Sequence, residues 1–110
     1  MKIVKFRDYL VPLVLSGEKT STWRLFDDKN LSIGDEIELR EFGKENSFAK
    51  AKITKVIEKA FKDLSEDDKQ GHEKFSSDGE MYAAYTGYYD TKVGPDSIVK
   101  IIWFELIERF

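Results

Sequence analysis

Residues 97–107 constrain this chain more than any other segment. Val99, Ile101 and Trp103 fall on one side of an extended strand, and Ile102, Phe104 and Leu106 on the other. A strand apolar on both faces belongs in the middle of a sheet, with other strands beside it. Residues 2–6 alternate as a short first strand. Residues 8–16 predict a helix capped by Asp8, with Pro12 in its first turn, where the missing amide costs little. Its apolar stripe is Tyr9, Leu10, Leu13 and Val14, and Gly17 stops it. Residues 36–42 and 47–59 predict strands joined at Gly43-Lys44-Glu45-Asn46, with Ile37 and Leu39 inward on the first. On the second, the apolar face of Ala49, Ala51 and Ile53 switches near Val56 and Ile57, which predicts a bulge or bend. Residues 62–70 predict a short acidic helix. Another begins near Ser77, with Glu80 at capping-box spacing and a stripe of Met81, Tyr85, Tyr88 and Tyr89. Hairpin strands with few helices between them predict an α+β fold: a mixed, mostly antiparallel β-barrel with flanking short helices, as a single domain over residues 1–110.

The composition narrows what this fold does. With 41 % hydrophobic and 14 % aromatic residues in 110, there is material for one proper core. A net charge of −3 argues against indiscriminate binding of long nucleic acid. It leaves room for a small ligand, or for a nucleic acid gripped by a local basic patch. The absence of cysteine excludes disulfides, thiolate chemistry and cysteine zinc sites. His72 is the one histidine, so a histidine-rich metal site is excluded and a Ser-His-Asp triad has a single candidate base. Neither a metal nor a cofactor is expected. Glu66-Asp67-Asp68 reads as a solvated helix start, with an unspecific divalent cation as the alternative. No apolar run reaches membrane-spanning length, and residues 1–7 lack a signal-peptide core. The expected compartment is therefore the cytoplasm, with no membrane and no protein partner evident.

Chemistry concentrates in Gly17-Glu18-Lys19-Thr20-Ser21-Thr22-Trp23-Arg24. It holds a lysine, an arginine and three hydroxyls, suited to a phosphate, a carboxylate or a nucleobase edge. If residues 20–24 are extended, Thr20, Thr22 and Arg24 share one face, while Ser21 and Trp23 take the other and Trp23 enters the core. Gly17 ends the helix, and Lys19 follows at the strand mouth. The plain alternatives are structural: Lys19 in an ion pair with Glu73, Arg24 paired with the Asp27-Asp28 turn, Thr22 as a strand former, His72 as a loop hydrogen-bonder and the tyrosines as helix packing.

The chain resembles the ASCH domains, which are related in fold to PUA-like β-barrels. The resemblance rests on Gly17-x-Lys19-x-x-x-x-Arg24 after the helix of Tyr9 to Ser16. Gly34-Asp35, His72-Glu73-Lys74-Phe75, Glu80-Met81-Tyr82 with Tyr85 and Tyr88-Tyr89, and Trp103-Phe104-Glu105-Leu106 support it. It implies recognition of RNA or a modified cytidine nucleoside in a cleft lined by Lys19 and Arg24. Gly17, Thr20, Trp23 and Tyr82 are further ligand-binding candidates. It also implies an alternative, an amidohydrolase that removes the acyl group from N(4)-acetylcytidine-type nucleosides. Lys19 and Thr22 match that reaction's lysine and threonine, and Glu73 is the candidate glutamate, with Glu80 or Glu66 as substitutes. A ribonuclease using the same cations is a further alternative.

Overall fold

A computed structural model describes all of residues 1–110. The strands are β1 (Lys2–Phe6), β2 (Ser21–Arg24), β3 (Glu36–Glu41), β4 (Ser47–Ala60) and β5 (Ile98–Arg109). The helices are α1 (Val11–Ser16) and α2 (Asp78–Tyr89), and single 3-10 turns cover Asp8–Leu10 and Phe61–Asp63. The strands form one mixed sheet in the order β1-β3-β4-β5-β2, curled into a half-barrel. β1 runs parallel to β3, and every other pairing is antiparallel. No helix is long and apolar enough to cross a membrane.

β5 lies between β4 and β2, as its two apolar faces require. Ile102 and Phe104 join Val4, Phe6, Ile37, Leu39 and Ile53 inside the curl, which α1 closes with Val14. Val99 and Ile101 look the other way, into a second core with Trp23, Phe61, Met81 and Tyr85 beneath α2. Each such aliphatic side chain taken fully from water contributes about 1.5–3 kcal/mol. The expected bulge in β4 is present: the register against β5 slips between Ile53 and Lys55. Beyond it Val56 and Ile57 are half-buried.

Three local expectations need correction. The first helix is split, with a 3-10 turn at Asp8–Leu10 before α1; Asp8 bonds the amide of Tyr9, and Arg7 is the residue that precedes the turn. Tyr9 leaves the apolar stripe and is 58 % exposed. No helix forms over 62–70. Ser65 and Asp68 bond each other's backbone amides, and Asp68 is tied to Lys59 at 2.8 Å. Those side-chain bonds hold the segment as turns against β4 in place of a helical ladder. α2 begins as expected, with the Ser77 hydroxyl accepting from the Glu80 amide at 3.2 Å. The Glu80 carboxylate completes no box, because it bonds the Ser76 hydroxyl.

Candidate active site

The half-barrel leaves β1 and β2 as unpaired edges facing each other across a seam. Arg24 Nη2 donates to the Lys5 carbonyl across it at 3.4 Å. A pocket of about 220 Å³ opens there. That is roughly seven times the ~30 Å³ share of a liquid water molecule, room for a ring system of nucleobase size. Adjacent residues of β2 (Thr22, Trp23 and Arg24) all line it, so the pocket meets the strand at its edge rather than at one face.

Two glycines set the geometry. Gly17 is left-handed (φ +84°) and its amide closes α1 on the Val14 carbonyl. The reversed chain then docks the Lys19 amide on the Leu13 carbonyl at 3.0 Å, which delivers Lys19 to the seam. Gly71 (φ +80°) presents its carbonyl to the amides of Thr20 and Ser21 at 2.8 and 3.1 Å. A Cβ on Gly71 would lie 2.1 Å from Thr20 Oγ1. Only glycine lets this loop ride on the start of β2, and the ride carries His72 and Glu73 to Lys19.

Lys19 is 3 % exposed, and its Nζ donates to Glu73 Oε2 at 2.6 Å. Burial lowers the Lys19 ammonium below its ordinary range, Glu73 opposes that, and Arg24 adds to it. The Glu73 carboxyl is held low: burial pushes it up, and the Lys19 ammonium hydrogen-bonded to it pulls it down. His72 Nδ1 donates to the Glu73 carbonyl at 2.8 Å, leaving Nε2 to accept from the Tyr85 hydroxyl at 3.3 Å. Burial, with Lys19 nearby, drops the ring's pKa to about 4. His72 is thus a neutral imidazole stacked on Trp23 at 3.9 Å. Its 3.4 Å approach to Glu73 Oε1 is a contact of a neutral ring and not an ion pair.

The structure brings Lys19, Thr22, Trp23, Arg24 and Glu73 to one pocket. Thr22 is buried to 7 % exposure, and its hydroxyl makes no hydrogen bond within the protein, to Lys19 or to any other group. Gly17 acts through the backbone. Thr20 faces Gly71 outside the pocket, so it does not share a working face with Thr22 and Arg24. Tyr82 packs edge-on against Phe61 at 5.7 Å, because its turn of α2 looks into the second core. Glu80 stays with Ser76. Glu66 lines a neighbouring cavity of about 380 Å³ that shares Trp23 and Glu73 but lacks Lys19 and Thr22. Lys100, not Arg24, pairs with Asp27 of the turn, at 2.7 Å and half-buried.

Several pocket residues escaped the sequence reading. Tyr85 and His72 form its floor, and Lys5, Arg7, Tyr9, Phe42 and Tyr88 its mouth. The Arg7 guanidinium lies 4.4 Å from the Tyr88 ring centre and 5.8 Å from that of Phe42. The Tyr9 and Tyr88 hydroxyls meet at 3.4 Å, a contact that helps push the Tyr9 phenol up to about 12. The only signal for this rim was a cation at the end of the first strand, which alternation alone reads as solvated surface.

No family model and no curated protein matches the sequence. Solved structures do match. A protein from Enterococcus faecalis V583, of family DUF984, superposes with a TM-score of 0.76 at 22 % identity, over 93 % of this chain and 72 % of that one. An ASCH domain from Lactobacillus crispatus JV V101 gives 0.71 at 15 % identity, over 98 % and 81 %. The fold is that of the ASCH domains. The ASCH protein of Zymomonas mobilis gives 0.62 at 13 % identity, over 94 % of this chain and 65 % of its own. The likeness is one of fold, and it agrees with the PUA-like α+β architecture expected from the sequence. In this ASCH fold the half-barrel seam is where the buried lysine–glutamate pair opens to solvent.

Proposed function

We propose that the seam pocket recognises a cytidine-type base and hydrolyses the acyl amide on its exocyclic nitrogen. One observation carries the reading. A buried lysine, its pKa lowered by that burial, sits 2.6 Å from a carboxylate, in a pocket that also holds a hydroxyl with no protein partner. Amide hydrolysis needs a nucleophile, a base and a proton for the departing amine. Lys19, as the free amine, takes the proton of Thr22 while Thr22 Oγ1 bonds to the acyl carbon. The C–N bond breaks as that proton passes from Lys19 through Glu73 to the exocyclic nitrogen, and free cytidine leaves. Water then cleaves the acyl ester, which releases the carboxylic acid and returns a proton to Thr22. Lys19 turns from Glu73 to Thr22 in the first step. The resemblance to ASCH amidohydrolases supports the same three residues. Incubation with N(4)-acetylcytidine, followed by chromatography, is the test. Free cytidine is expected, with loss of turnover in a folded Lys19→Ala variant; intact substrate at high protein concentration overturns the reading.

A second reading, recognition of a base in RNA without hydrolysis, is favoured by the aromatic and cationic mouth. Its mark is retention of ligand binding in Thr22→Val with no product in any assay. Nothing favours RNA cleavage, because both nitrogens of His72 are engaged and the ring is neutral.

A further inference from the structure

The charge around the pocket is out of character for the molecule. The chain carries 21 acidic and 18 basic side chains other than histidine. The pocket lining nevertheless holds Lys5, Arg7, Lys19 and Arg24 against Glu73 as the lone carboxylate. Glu73 is taken by Lys19. Lys5, Arg7 and Arg24 form no ion pair anywhere in the protein. They come from different places: Lys5 from β1, Arg7 from the turn after it, and Arg24 from the end of β2. Arg24 Nε is moreover a buried donor with no partner.

Three uncompensated cations converging on one opening repel each other, and an acidic chain has carboxylates enough to neutralise them. Their arrangement is explained by an anion that arrives with the ligand. Arg7 is prepared for this. Its guanidinium packs over Tyr88 and Phe42, which restrains the plane of the fork while its N–H edges carry no protein hydrogen bond. The free hydroxyl of Thr22 and the Lys19–Glu73 pair lie deeper, so the ring end of a ligand goes inward and the anion stays at the mouth.

We propose that the ligand of this pocket is a nucleotide rather than a nucleoside, with its phosphate held at the seam by Lys5, Arg7 and Arg24. This rests on the reading that the deeper pocket takes a cytidine-type ring, and it adds the phosphorylated form of that ligand as the preferred one. The pocket of about 220 Å³ has room for the base, and the phosphate stays at its open mouth.

Isothermal titration with cytidine, cytidine 5′-monophosphate, inorganic phosphate and a short single-stranded oligocytidylate tests it. The monophosphate is expected to bind at least tenfold more tightly than cytidine or phosphate alone, and no more weakly than the oligonucleotide. The advantage over cytidine should shrink as salt rises. It should fall to threefold or less in the double variant Lys5→Gln/Arg7→Gln, whose sites are exposed and outside both cores. Equal affinity for cytidine and its monophosphate overturns this proposal and leaves the nucleoside reading intact. Phosphate binding as tightly as the monophosphate overturns both, because the ring then contributes nothing. Binding by the oligonucleotide alone overturns the mononucleotide assignment in favour of RNA.

Discussion

His72 gives the sharpest physical test of the site. The ring is 9 % exposed, lies flat on Trp23 and faces Lys19, Glu73 and Tyr85. Burial first, and the Lys19 charge second, hold its pKa at about 4 against 6.5 in an unfolded chain. Between those values the unfolded chain binds a proton that the folded chain refuses. The stability from this group is therefore complete above pH 6.5 and is lost as pH falls toward 4. At about 1.4 kcal/mol per pH unit, the gap is worth about 3 kcal/mol, with most of it gone by about pH 4.5. Urea unfolding at neutral pH and at about pH 4.5, on wild type and His72→Asn, isolates it. The asparagine amide can still donate to the Glu73 carbonyl but cannot titrate. Wild type should lose about 2–3 kcal/mol more than the variant over that range. Carboxylates such as Asp27 and Asp68, which lose their pairing in acid, cancel in the difference. Because the chain has one histidine, a single imidazole proton resonance gives the titration directly. A midpoint near 6.5, or parallel acid losses in the two proteins, refutes a buried neutral ring.

Gly71→Ala forces a left-handed residue and a methyl into the Thr20 side chain, so stability should drop by about 2–4 kcal/mol; urea midpoints check this, and a change under ~0.5 kcal/mol contradicts the docked loop. Thr22→Val removes a hydroxyl that has no partner. It should leave stability within about 1 kcal/mol of wild type while reducing acyl-cytidine turnover at least about a hundredfold; turnover near the wild-type rate removes Thr22 from the mechanism. Asp27→Ala deprives half-buried Lys100 of its partner and the amides of Lys29 and Leu31 of their acceptor. A loss of about 2–4 kcal/mol is expected in thermal or urea melts, and an unchanged melt denies that this pair holds the loop after β2.

Much of the architecture was legible because it depends on short-range chemistry. The double-faced strand at 98–109, the bulge in β4, Gly17 at the end of α1 and Ser77 at the start of α2 each follow from neighbours a few residues apart. The segment 62–70 was misread for the complementary reason. Its acidic start favours a helix until Lys59, a residue of β4, claims Asp68. The site divides in the same way. Lys19, Thr22, Trp23 and Arg24 lie on one stretch of chain, and its density of cations and hydroxyls was enough to suspect it. Their meeting with Glu73 spans 54 positions between the paired residues and depends on a glycine carbonyl docking on a strand edge.

Periodicity along the chain therefore settles which residues are apolar, where elements start and stop, and which short motif carries reactive groups. Long-range packing settles the rest. The curl of the sheet leaves its two edge strands apart, and that gap makes a pocket of backbone edges that alternation assigns to no face. Exposed Arg7, Tyr9 and Tyr88 become the rim of that pocket only once β1 and α2 stand across the seam from each other. Fold-dependent burial, and no property of the residues alone, lowers the pKa of Lys19 and keeps His72 uncharged.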